Sequence, residues 1–217
     1  MKKVIYNFED ERLYEPVLFF VRRAAPFRYA YAMKYKQKKD RYNALMAYVL
    51  LCMASDRPIG ELSLGANGKP YFDKYFGQKY LSISHTDNMV AAAISDQNIG
   101  IDIEQYNKVN YEIISMVCSK KEKYQMKENS KLSTFFWTAK ESLSKLLNED
   151  WYSSSMTDLL YEGHGIVDCN NLAVHFEHFI FSKNVLCIAS KSSEVSLIEQ
   201  ANSTRVLKFI TKCNAVL

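Results

Sequence analysis

Residues 99–104 read Ile-Gly-Ile-Asp-Ile-Glu, and no other stretch limits the fold of this chain so tightly. Ile99, Ile101 and Ile103 alternate with Gly100, Asp102 and Glu104, the period-2 pattern of a half-buried strand. Both carboxylates therefore point the same way, with Cα atoms roughly 7 Å apart. A second pattern follows at Trp137, Lys140, Glu141 and Lys145. Trp137, Glu141 and Lys145 recur at i, i+4 and i+8, so they share one helix face. A strand with two acids and a helix with a third acid and a lysine can together hold a hard divalent cation and a phosphate.

The chain has 217 residues, of which 48% are hydrophobic, enough to bury a substantial core in one large domain or two small ones. It contains no run of 18 apolar residues, so no membrane span is expected. The first residues, Met-Lys-Lys-Val-Ile-Tyr-Asn-Phe-Glu-Asp, lack the long apolar stretch of a signal peptide, and a cytoplasmic location is expected. Cysteines at 52, 118, 169, 187 and 213 are odd in number and include no Cys-x-x-Cys, which suits neither a zinc site nor a disulfide framework. They read as reduced core thiols.

The formal net charge is only +4 but is unevenly spread. Between residues 22 and 41, Arg22, Arg23, Arg28, Lys34, Lys36, Lys38, Lys39 and Arg41 face a single acid, Asp40. Such a run is either a solvated face or a patch for a polyanion. It carries no helix-turn-helix, zinc-finger or aromatic–basic RNA-binding signature, so nucleic acid is not the expected partner.

Periodicity predicts a strand over 3–8, helices over 12–24 and 38–55, and a stop at Pro58-Ile59-Gly60. Strands over 79–84, 89–95 and 98–104 follow a turn at 65–70, with Asp96-Gln97-Asn98 read as a hairpin between the last two. Helices over 110–127 and 131–147 and strands over 171–181, 185–190 and 205–211 complete the expectation. The order is that of an α+β protein, with each half running from strand to helices to strands and a seam near 96–98. No low-complexity linker separates the halves.

Three further features bear on the acids. Ser84-His85-Thr86, at the end of a strand, puts three short hydrogen-bonding groups at one point, suited to a phosphate. In Gly68-Lys69-Pro70 the glycine permits close backbone approach, the lysine adds charge and the proline stiffens the loop. In the 131–147 helix, Glu141 lies beside a broad apolar face, and its simplest role is an i,i+4 pair with Lys145. His175 and His178, three apart on a strand, fall on opposite faces and form no expected metal site.

Taken in order, Gly-Lys-Pro, Ser-His-Thr, Gly-Ile-Asp-Ile-Glu and Trp-x-x-Lys-Glu-x-x-x-Lys resemble the 4′-phosphopantetheinyl transferase superfamily. The likeness is to the larger, two-lobed type that activates peptide and polyketide synthases. It implies two similar α/β lobes in one chain, a pseudo-dimeric fold: 1–97 binding coenzyme A, 98–217 metal-binding and catalytic, and the active site between them. Two lobes in one chain make a monomer sufficient. The implied reaction moves the phosphopantetheine arm of coenzyme A to a serine of an apo acyl or peptidyl carrier protein and releases adenosine 3′,5′-bisphosphate.

By the same resemblance, Asp102, Glu104 and Glu141 would hold Mg2+, Glu141 would be the general base and Lys145 would stabilise developing phosphate charge. His85 would bind a phosphate of coenzyme A, with Thr86 beside it. Lys69, Pro70 and Ser84 would line the adenine and ribose end, and Arg28 would meet the 3′-phosphate. The chain departs from the family at Asn43, where an arginine is common, at Tyr31, where a second basic residue is expected, and at Asn148-Glu149-Asp150-Trp151. Lys39, four residues before Asn43, is then the candidate replacement charge. An exposed apolar part of 106–126 is a candidate carrier-docking surface. The residues alone also allow a metal-dependent nucleotide phosphohydrolase, or a module that binds coenzyme A without catalysis.

Overall fold

The computed structural model describes residues 1–65, 69–72, 79–106, 108–148, 157–163, 165–168 and 173–215. It is a mixed α/β structure with several sheets. The chain divides into two compact units, Met1–Asp96 with Ser196–Leu217, and Gln97–Val195.

In the first unit, β1 (Lys2–Phe8) is followed by α1 (Tyr14–Ala24), α2 (Pro26–Ala32) and α3 (Lys38–Ala54). A short ribbon, β2 (Leu62–Leu64) with β3 (Pro70–Phe72), precedes the hairpin of β4 (Tyr80–His85) and β5 (Met89–Ser95). β5 pairs antiparallel with β1 from Lys2↔Ser95 to Phe8↔Met89. α3 is buried from Tyr42 to Met53, as expected for a helix that is apolar on nearly every side. Its side chains join those of α1 and the sheet in one core with Phe20, Leu45, Tyr48 and Leu51.

The last residues return to this unit. β11 (Leu197–Gln200) pairs parallel with β1, and α7 (Ser203–Asn214) buries Val206, Ile210 and Cys213 in the first core. Asn7 fixes the return, donating to the Ala201 carbonyl (2.6 Å) while accepting from Tyr42 Oη (2.9 Å). The expected second lobe of 98–217 therefore gives up 196–217. The expected strand over 205–211 is a helix, because Val206, Ile210 and Cys213 repeat at 3.6-residue spacing and the Asn202 side chain caps Arg205 N (3.0 Å).

In the second unit, β6 (Ile99–Gln105) leads to α4 (Tyr111–Val117), α5 (Lys120–Glu128) and α6 (Leu132–Leu147). A ribbon of β7 (Leu159–Tyr161) with β8 (Ile166–Asp168) follows, then β9 (His175–Phe181) and β10 (Asn184–Ser190). β10 pairs antiparallel with both β9 and β6. The 96–98 segment is thus no hairpin: β5 lies in one unit's sheet and β6 in the other's. The single helix expected over 110–127 is two, because Ser119 starts α5 with a capping box closed by Glu122.

Among the described residues the element order is the same in both units: a strand, three helices, a two-stranded ribbon, and a hairpin whose second strand pairs with the first strand. The described cysteines, Cys52, Cys118, Cys187 and Cys213, are free and buried, while Cys169 lies outside the described residues. Among the described residues no helix is long and apolar enough to cross a membrane.

Candidate active site

β6 and α6 meet at a glycine. A methyl group on Gly100 would collide with the carbonyl oxygen of Ser142 and lie 2.6 Å from the backbone nitrogen of Leu146. Only a residue without Cβ lets the helix backbone ride directly on this strand. The contact falls beside Glu141 and between the turns that carry Glu141 and Lys145. It lies on the same strand face as Asp102 and Glu104.

Lys145 reaches across to the strand. Its Nζ donates to Asp102 Oδ1 (2.7 Å) and to the Ile101 carbonyl (3.0 Å). Asp102 is only 7% exposed, so this is a partly desolvated, charge-assisted contact. Glu104 is half-buried and accepts from Gln105 N (2.7 Å). Burial first, and the charge of Asp102 second, push Glu141 above the ordinary carboxylate range, while Lys145 pulls it back. Burial also raises Glu104; the Gln105 N–H opposes this, and Asp102 adds to it.

The charge of Asp102 is therefore close enough to both Glu104 and Glu141 to disfavour their ionised forms. Among the described residues, no three Asp, Glu, His or Cys side chains form a ready-made metal cage. The donor chemistry still suits a hard divalent ion: the donors are all carboxylate oxygens, and their mutual repulsion is the kind a cation relieves.

The first unit holds a pocket of about 120 Å³ between α2, α3 and the end of β4. Arg28 is 7% exposed, donates from Nη2 to the Ala44 carbonyl (3.2 Å) and lies 5.0 Å from the Tyr31 ring centroid. Its buried Nε has no hydrogen-bond partner. Burial works against its charge, so an anion in this pocket would be strongly favoured. Glu61 positions the helix by accepting from Phe27 N (2.8 Å) and Arg28 N (3.1 Å). Opposite, His85 Nδ1 meets Asn43 Nδ2 at 3.3 Å.

Of the residues expected from the sequence, Arg28, Pro70, Ser84 and His85 line this pocket. Lys39 instead pairs with Asp87 (3.4 Å) at the surface. Thr86 serves the β4–β5 turn, its N–H bonded to the Met89 carbonyl (2.8 Å) and its hydroxyl to Asn88 Oδ1 (3.2 Å). The Lys69 carbonyl accepts from Gly65 N (2.9 Å), closing the loop whose Gly68 lies outside the described residues. Tyr31 and Asn43, where basic residues were expected, also face the pocket. Tyr31 and Tyr35 join hydroxyls at 3.0 Å, and Asp40 and Asn43 line the wall with Ala44 and Ala47. The last four repeat at helical spacing, which marks one face of α3 in the sequence.

Much of the basic run is used internally. Lys38 lies 4.6 Å from the Tyr14 ring, Arg22 5.8 Å from that of Tyr29, and Arg41 donates to the carbonyls of Tyr35 (2.8 Å) and Lys36 (3.3 Å). On β9, His175 is exposed, while both ring nitrogens of His178 are buried beside Phe135, with ring centroids 5.0 Å apart.

Residues 98–177 match the family model of the 4′-phosphopantetheinyl transferase superfamily. Over 133 residues, 55% of this chain, the sequence is 32% identical to the 4′-phosphopantetheinyl transferase gsp of Aneurinibacillus migulanus. That match covers 54% of the relative, so the chain spans about half the length of the curated protein it matches. The residues matched to that family model include Asp102, Glu104, Glu141 and Lys145.

Proposed function

We propose that this protein transfers the 4′-phosphopantetheine group of coenzyme A to a serine of an apo acyl or peptidyl carrier protein. The observation that carries this reading is the Asp102–Lys145 contact beside two acids with raised pKa, inside the segment matched to the family. The pocket around Arg28 and His85 in the first unit is suited to an anion such as the 3′-phosphate of coenzyme A.

In this reading the serine hydroxyl attacks the phosphorus attached to pantetheine. The bond from that phosphorus to the bridging oxygen breaks, and adenosine 3′,5′-bisphosphate leaves. Glu141, the third carboxylate of the cluster, takes the hydroxyl proton. Lys145 stabilises the negative charge that develops on phosphate oxygens. Asp102, Glu104 and Glu141 would hold Mg2+, which when bound neutralises pyrophosphate charge.

The repeated element order supports two similar lobes built on one pattern, the first for coenzyme A and the second for chemistry. Exposed Tyr111, Ile113, Met116 and Tyr124, close in sequence to Lys120, Lys121 and Lys127, would receive the carrier. The test is to incubate the protein with coenzyme A, Mg2+ and a panel of apo-carriers and to weigh the carriers. Gain of one phosphopantetheine on a serine supports the reading. Folded protein that leaves every carrier unchanged defeats it, and release of the bisphosphate without a carrier would identify a phosphohydrolase instead.

A further inference from the structure

Lys140 sits next to Glu141 in the Trp-x-x-Lys-Glu run but faces away from the carboxylates of β6. It is 4% exposed, and its ammonium donates to the Thr157 carbonyl (2.8 Å) and pairs with Glu122 Oε1 (3.0 Å). Glu122 is wholly buried. Its carboxylate also accepts from Leu159 N (2.9 Å, at Oε1) and Ser119 N (2.6 Å, at Oε2). One buried ion pair thus joins the start of α5, the middle of α6 and the first residue of β7. One turn along α5, Gln125 repeats the grip on β7, exchanging two hydrogen bonds with the Tyr161 backbone (3.0 Å each).

We infer that Lys140 and Glu122 are positioning residues for Glu141: a buried lock that fixes the rotation and depth of α6, and not groups that meet coenzyme A or carrier. The geometry carries this. Consecutive helical residues point about 100° apart, so holding Lys140 inward against α5 and β7 sets where Glu141 projects. The ammonium already has acidic and carbonyl partners in a site closed to solvent. Neither partner survives alone without cost, because a buried charge without its counter-ion is strongly destabilising, whereas a neutral pair of similar volume is tolerated.

This inference rests on the transferase reading only for its activity arm. The experiment compares wild type, Lys140→Met, Glu122→Gln and the double variant Lys140→Met/Glu122→Gln. Thermal unfolding gives the coupling between the two sites, and transfer to an apo-carrier gives kcat and KM for coenzyme A. Lys140→Met is expected to lower the melting midpoint by on the order of 10 °C, and the double variant to regain at least half of that loss. Lys140→Met is expected to lower kcat by roughly tenfold or more with KM for coenzyme A within about twofold, and the double variant to recover kcat together with stability.

A double variant no more stable than Lys140→Met, or one that fails to fold along with both singles, overturns the lock. A double variant that regains stability but stays inactive overturns the positioning role and makes Lys140 a group that touches substrate. Should wild type transfer nothing to any carrier, the function reading fails, while the unfolding cycle still decides the lock.

Discussion

Lys145 Nζ lies 2.7 Å from Asp102 Oδ1, so the last helical position of the Trp-x-x-Lys-Glu-x-x-x-Lys run is tied to the first acid of Gly-Ile-Asp-Ile-Glu. The same lysine was open to an i,i+4 pair with Glu141 on its own helix. Its contact with the strand instead joins two sequence motifs separated by some forty residues. Burial first, and then the charge of Asp102, raise the Glu141 pKa against the opposing pull of Lys145.

Replacing Lys145 with methionine keeps most of the packing and removes the charge. The expected result is a folded protein whose kcat falls on the order of 100-fold or more. Circular dichroism and a transfer assay on the same sample check both halves. An unchanged kcat would remove Lys145 from the chemistry.

Gly100 carries a steric prediction independent of function. Gly100→Ala drives a methyl into the Ser142 carbonyl, and destabilisation by about 1–3 kcal/mol is expected from overpacking, with reduced transfer as α6 shifts. Gly60 is the control: its φ of +71° is strained for alanine, but nothing lies within 4 Å, so Gly60→Ala should cost about 1–2 kcal/mol without touching the site. Urea denaturation measures the stabilities, and activity separates the two. Equal activity in both variants would contradict the close-approach account.

The pocket makes unequal predictions for its cations. Arg28→Gln should raise KM for coenzyme A by roughly 10–100-fold, with a smaller effect on 3′-dephospho-coenzyme A, because the lost partner is the anion. Lys39→Ala should change KM little, since Lys39 is spent on an exposed pair with Asp87 worth about 0–1 kcal/mol. Steady-state kinetics with both nucleotides tests this. A larger effect at Lys39 than at Arg28 would move the anion site.

His178 predicts a pH dependence of stability. Burial pushes its imidazole down to about 4 from 6.5. The unfolded chain then binds the proton more readily than the folded one. Stability is therefore full above the unfolded pKa and lost as pH falls from about 6.5 towards 4, by up to roughly 3 kcal/mol. Glu104 and Glu141, raised by burial, act with opposite sign, so the difference between wild type and His178→Leu isolates the histidine. Denaturant melts at pH 7, 5.5 and 4.5 measure it. Parallel curves for the two proteins would contradict the assignment.

Local pattern made some parts of this structure legible. Ile99–Glu104 announced a strand by strict alternation, and α6 announced itself by apolar spacing and its Trp-to-Lys face. Pairing partners were not legible in the same way. Asp96-Gln97-Asn98 has the composition of a hairpin turn, yet the strands around it belong to different sheets, a choice made by β1 and β10 far away in sequence. Residues 205–211 mix β-branched and aromatic side chains, and only the Asn202 cap and the Val206-Ile210-Cys213 spacing reveal the helix. Motif order named Asp102 and Lys145 as candidates, and the structure brings these two into contact. That Lys39 would turn to Asp87, and that two tyrosine hydroxyls would face the pocket, depended on tertiary contacts. Ser119 and Glu122 close a capping box inside what reads as one helix over 110–127, and Lys140 as the buried partner of Glu122 depended on tertiary contact.

The most direct test of the central claim is the mass of a single apo-carrier after incubation with coenzyme A and Mg2+, using wild type and Glu141→Gln in parallel. The account predicts one added phosphopantetheine with wild type, loss of transfer by on the order of 100-fold or more with Glu141→Gln, and abolition of wild-type transfer by a chelator. Equal transfer by the folded Glu141→Gln variant would contradict the catalytic role assigned to this cluster.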